Sequence, residues 1–139
     1  MAQTFPKASI TTEAAHQAIA AAEAKAVEIE TPMVIAILDD AGVLKALSRM
    51  DGAALLSVQI AQDKAYTAAA FGLSTDTWFN FIKDDPPLLH GIVQTPRLIV
   101  FGGGYPLTVD GATIGAIGVS GGHYDQDMVV AQAGVAALA

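Results

Sequence analysis

The sequence predicts an α+β domain: a five-stranded, mainly antiparallel sheet flanked by helices, in the order α-β-β-α-α-β-β-β-α. Three observations lead there. Apolar residues recur at helical spacing in three Ala-rich stretches. Short apolar runs rich in Val, Ile and Leu come in two groups broken by turn residues, Asp39 to Gly42 and Asp110-Gly111. Strands joined by hairpins pair antiparallel, and the helices then cover the sheet in two or three layers.

The elements follow in order. Residues 1–10 read as an arm punctuated by Pro6. Thr11 or Thr12 caps a helix whose stripe is Ile19, Ala22 and Ala26, with Glu13 suited to the first turn. Thr31-Pro32 ends it. Met33 to Leu38 and Val43 to Arg49 form a hairpin. A central helix follows, with Leu56, Ile60, Lys64, Thr67 and Phe71 on one face and Gly72 as its stop. Thr75 caps a shorter helix carrying Trp78, Phe79 and Phe81. After a Pro-rich loop, Leu98 to Gly122 reads as a glycine-rich meander: Ile99 to Phe101, Pro106 to Val109 and Thr113 to Val119. Asp110-Gly111 suits the positive φ of a type I′ turn. Tyr124 or Asp125 opens the last helix, with Asp125 as cap.

The composition narrows the function. With 139 residues the chain is read as one domain, 1–139. A net charge of −7 argues against nucleic acid and anionic membranes as partners. There is no cysteine, which removes disulfides, thiolate metal sites and Cys nucleophiles. Nothing reads as a signal peptide or a membrane span, so a cytoplasmic location is expected. Charged residues make up only 15%, which suggests that part of the surface is covered by other subunits.

Several segments resemble the GlcG/HbpS family, which includes the C-terminal domain of PduO-type proteins. They are AAAEAKA at 20–26, DDAGVLKALSRMDGA at 39–53, DKAYTAAAFG at 63–72, FGGGYPL at 101–107 and GAIGVSGGHYDQD at 115–127. The resemblance covers nearly the whole chain. It implies a five-stranded antiparallel sheet flanked by helices, a homo-oligomer, and haem binding or an accessory role in haem degradation. It also implies that a histidine of the first helix, here His16, serves as an axial iron ligand.

The residues themselves offer several sites. Gly102, Gly103 and Gly104 lack the Lys and helix of a phosphate loop. They mark either a sharp bend at a strand end or a bare backbone rim whose N–H groups face a small-molecule ligand. Ser120, Gly121 and Gly122 precede a helix start, which reads first as a plain strand-to-helix turn with a capping hydroxyl and second as an anion site. Lys64 lies on an apolar face, so it either pairs with Asp39, Asp40 or Asp51, or serves a site. Arg49 is suited to a carboxylate, including a haem propionate. His16, His90 and His123 are each a candidate ligand or a surface or capping residue. No spacing for a non-haem metal site is present.

Three functions remain. In one, the chain is a haem- or cofactor-binding accessory protein, with iron on His16, or else on His90 or His123, and propionates on Arg49 and Lys64. In another, it is a small cofactor-independent enzyme, an isomerase, lyase or hydrolase acting on a carboxylated metabolite. The glycine rim and Ser120 would then stabilise an oxyanion, Lys64 or His123 would move the proton, and Arg49 would fix the carboxylate. In the third, it is an oligomeric scaffold without chemistry.

Overall fold

The computed structural model describes residues 1–139. Helix α1 (Thr12–Glu28) is followed by the hairpin β1 (Val34–Asp39) and β2 (Leu44–Arg49). Helix α2 (Leu55–Phe71) and the short helices α3 (Thr77–Ile82) and α4 (Pro86–Gly91) come next. The chain ends with β3 (Gly104–Val109), β4 (Ala112–Ser120) and α5 (Tyr124–Ala136).

The sheet has four strands, not five, in the order β2-β1-β4-β3, and every pairing is antiparallel. The missing strand is Ile99 to Phe101. Thr67 explains why that run stays out of the sheet. Its hydroxyl accepts the Ile99 N–H at 3.0 Å and itself contacts the Arg97 carbonyl at 2.9 Å. The run is therefore strapped to α2 by a side chain. A buried apolar triplet carries no period that distinguishes this from a strand. The hairpin turn at Asp110-Gly111 is as expected, with φ of 50° and 80°. Pro106 sits in β3, an edge strand, where a missing N–H is tolerated.

Helices α1 and α5 pack on one face over Ile35, Ile37, Ile117 and Val119. Helix α2 lies on the other, over Val34, Ala36, Leu38 and Ala116. These two sets alternate along β1 and β4, as strand geometry requires. Glycine lets α2 lie almost on the sheet. A Cβ at Gly118 would collide with the Ala61 carbonyl and the Ala65 nitrogen; one at Gly104 would collide with the Lys64 carbonyl and Thr75.

Several local expectations change. The buried face of α2 is Ser57, Ala61, Lys64, Ala65, Thr67 and Ala68, so Leu56 and Phe71 point outward. Small residues win the inner face because the helix is so close to the strands. Thr75 does not cap α3; its hydroxyl accepts the Gly104 N–H at 2.9 Å. His123, not Asp125, caps α5, through Nδ1. Residues 1–10 are not a free arm throughout: Ile10 is buried and donates to the Ile114 carbonyl, and Lys7 pairs with Asp40 at 3.1 Å. Thr11 caps α1 through the Ala14 N–H, as its sequence predicts.

Candidate functional site

The site is built around Lys64. Helix α2 aims this side chain at the end of β4, where the Val119 carbonyl lies. Its Nζ donates to the Val119 carbonyl at 2.9 Å and to Asp127 Oδ2 at 2.7 Å, and the side chain is fully buried. Asp127 stands in the first turn of α5, and its other oxygen accepts the Gly122 N–H at 3.0 Å. Asp39, Asp40 and Asp51 take no part.

Both glycine clusters meet here. Gly103 has φ +127°, and a Cβ on it would press on Lys64 Nζ at 2.6 Å and on the Val119 carbonyl at 2.7 Å. The Gly103 carbonyl accepts the Val119 N–H at 2.9 Å. Gly121, with φ +155°, passes tightly over Pro32 and Met33. Thus one cluster bends over the ammonium and the other is tied to its counterion. Ser120 points to the α2 face and meets Ser57 at 3.3 Å.

Burial holds the Lys64 ammonium below its ordinary range, opposed by the Asp127 charge. Burial likewise raises the Asp127 carboxyl, opposed by Lys64 and by the backbone donors. An ammonium sealed from solvent with two acceptors is an anchor between α2, β4 and α5. Its third N–H has no acceptor in the chain but is sealed from solvent with the rest of the side chain, so it is not presented to a propionate.

Above this pair an open cleft of about 400 Å³ is lined by Asp76, Phe79, Asn80, Phe101, Gly102 and Tyr124. The Phe101 ring covers Lys64, with Nζ 5.1 Å from its centroid, and lies 6.5 Å from the Tyr124 ring. Asp76 Oδ1 is shielded and has no hydrogen-bond partner. Burial, and next the Asp76 charge, push the hydroxyl of nearby Tyr105 up from its ordinary range, so it stays protonated.

The other candidates lie elsewhere. Arg49 pairs with Val34, and Val34 with Ser120, so Arg49 is on the edge strand opposite β3. Three strand spacings put it about 14 Å from the 102–104 loop, beyond the reach of one side chain. His16 is exposed on α1 and His90 is exposed at the end of α4; neither ring makes a hydrogen bond within the chain. His123 Nδ1 accepts the Asp125 N–H at 3.2 Å. That bond places the ring proton on Nε2, so His123 cannot ligate iron while it caps α5. No three His, Asp or Glu side chains converge on a metal position.

Sequence reasoning missed Asp127, Asp76, Phe101 and Tyr124 as site residues. Asp127 carried a signal: with Val130, Ala131 and Gly134 it forms the buried i, i+3, i+4, i+7 stripe of α5. An acid on that stripe needs a buried cation. The cleft carried no signal, because it joins α3, α5 and a loop.

A family model described as "Haem degrading protein HbpS-like" matches residues 10–136. The chain belongs to the HbpS-like family. Among other members, a 15.0 kDa protein from the dhaT-dhaS intergenic region of Citrobacter freundii is 39% identical over 127 residues, covering 90% of this chain and 89% of that one. The corrinoid adenosyltransferase PduO of Citrobacter freundii is 35% identical over 135 residues, which cover 96% of this chain but only 40% of that enzyme. The HbpS-like fold here also matches the crystal structure of a PduOC:haem complex. The TM-score is 0.85 at 35% identity, covering 93% of this chain and 94% of that one.

Proposed function

We propose that this chain binds haem, as an oligomeric accessory protein of the HbpS kind, with the His16 imidazole as iron ligand. The likeness over nearly the full length to a PduOC structure solved with haem carries the reading. The donor set of this chain supports it. His16 is an exposed imidazole with no internal hydrogen bond, so either ring nitrogen is free. His90 shares that freedom but stands on a six-residue helix. Of the two proposed propionate partners, Lys64 is already committed to Asp127, which leaves exposed Arg49. Haem held this way would supply an iron centre whose electronic properties follow from the axial imidazole. The protein's part is to hold the ring and set its orientation and surroundings.

Titration with haemin tests this. Wild-type protein gives a Soret shift that saturates near one haem per subunit, and His16→Ala loses the saturable component. His90→Ala and His123→Ala keep it. An unchanged Soret titration in His16→Ala overturns the ligand assignment, and a weak, unsaturable response in the wild type overturns haem binding itself.

A further inference from the structure

A second site lies away from His16. Gln17, next to His16, donates to the Ala137 carbonyl beyond the last turn of α5. The cleft is at the first turn of that helix, at Tyr124. Thirteen helical residues separate the two ends, about 19 Å. The cleft is therefore not part of the haem site proposed on His16.

Two kinds of unpartnered polar group border it. None of the N–H groups of Val100, Phe101, Gly102 and Gly103 meets an acceptor in the chain. Gly102 and Gly103 are buried. Buried backbone donors are nearly always paired, so the two at Gly102 and Gly103 are unusual, and the less buried Val100 and Phe101 extend the rim along the cleft. Such a rim suits a carboxylate. Beside it, with its Cβ 3.4 Å from where a Cβ on Gly102 would stand, Asp76 lines the same cleft, and its Oδ1 is a shielded acceptor without a donor. No Lys or Arg lines the cleft. The rings of Phe79, Phe101 and Tyr124 offer the cleft an apolar wall. A cleft of about 400 Å³ is in the range of small-molecule sites.

The two kinds of group ask for one ligand that is both acceptor and donor. A simple carboxylate would face Asp76 with a like charge. A simple amine would leave the N–H rim unpaired. A zwitterion answers both, and the aromatic wall favours an apolar side chain and tolerates an ammonium at its faces. We propose that this cleft binds an α-amino acid with an apolar side chain, its carboxylate on the N–H rim of 100–103 and its ammonium on Asp76.

The test is a titration with L-phenylalanine followed through the backbone amide signals of the protein. The signals of Val100 to Gly103 move and saturate. 3-Phenylpropionate lacks the ammonium and phenethylamine lacks the carboxylate; each binds about tenfold more weakly or worse, the loss of one charge-assisted contact. Asp76→Asn weakens L-phenylalanine by a similar factor. It does not lower the unfolding midpoint, because the carboxylate oxygen it replaces is unpartnered. His16→Ala leaves L-phenylalanine binding unchanged. The proposal is overturned if the amides at 100–103 show no saturable change, if either single-charge analogue matches L-phenylalanine, or if haemin displaces it.

Discussion

A lysine with no exposure is the least expected residue in this chain, and Asp127 explains why it is tolerated. Two groups removed from water hold each other's charge; the Val119 carbonyl accepts a second ammonium N–H, and the other carboxylate oxygen accepts the Gly122 N–H. Removing one partner strands the other. Asp127→Asn is expected to cost about 3–5 kcal/mol in urea unfolding, as breaking buried pairs does. Lys64→Met is expected to cost a similar amount, because Asp127 is then the stranded charge. The double change Lys64→Met with Asp127→Leu should cost much less than the sum, since neither charge is then buried alone. Additive losses would show that the two groups act independently. Lys64 was legible as an anomaly from its apolar neighbours, but the choice between Asp39, Asp40, Asp51 and a distant acid was not. Its partner is 63 positions away and is fixed only by how α5 docks. The histidines show the same limit. His123 reads as a possible ligand until the Asp125 N–H is seen on its Nδ1.

Among the elements, four of the five helices and three of the four strands followed from period and turn chemistry, β3 was placed two residues late, and α4 was read as part of a Pro-rich loop. The failures came where a side chain or a close approach overrode the pattern. Ile99 to Phe101 looked like a strand but is held by Thr67. Leu56 and Phe71 of α2 looked like part of its core, but apart from Lys64 only Ala, Ser and Thr fit between α2 and the glycine positions of β3 and β4. That spacing predicts opposite effects for two glycines. Gly118→Ala forces a Cβ into the backbone of α2 at Ala61 and Ala65, and is expected to destabilise by about 1–3 kcal/mol or more. Gly91→Ala lies in α4 with nothing within 4 Å, and should stabilise by about 0.5–1 kcal/mol through helix propensity. Chemical denaturation of both variants checks the pair of signs. The N-terminal segment adds a pH-dependent contact. Hydrogen bonds from Ser9 and Lys7, together with the Lys7 charge, hold the Asp40 carboxyl below its ordinary range. A depressed carboxylate contributes stability above its unfolded pKa and loses it as pH falls through the folded value. Amide exchange at Ile10, whose N–H is held by the Ile114 carbonyl, should therefore quicken as pH is lowered below about 4, relative to the intrinsic rate. Exchange that follows the intrinsic rate alone would show that Asp40 does not hold the segment.

The whole molecule carries an imbalance between its interior and its surface. The sheet and its two helical layers form tightly packed cores built largely from Ala, Val and Ile. Outside them stand large apolar side chains that no part of the chain covers. Leu55 is 85% exposed and Leu56 is 70% exposed at the start of α2, and Phe81 is 70% exposed on α3. Around Phe81, a second groove of about 310 Å³ is walled by Phe71, Leu73 and Trp78. A monomer seldom leaves such surface bare. The homo-oligomer proposed above gives these side chains partners. Light scattering after gel filtration should therefore give a mass that is a multiple of the 14.3 kDa chain. Leu56→Lys should shift that mass toward one chain without unfolding it, since residue 56 contributes nothing to either core. Phe81→Lys tests the α3 face separately. If both variants keep the mass of the wild type, these surfaces are not the contacts between subunits. If the wild type itself runs as a single chain at working concentration, the oligomeric part of the proposed function is wrong. Haem binding through His16 would then have to be satisfied by one exposed imidazole on one α1, which the haemin titration of the isolated chain reads directly.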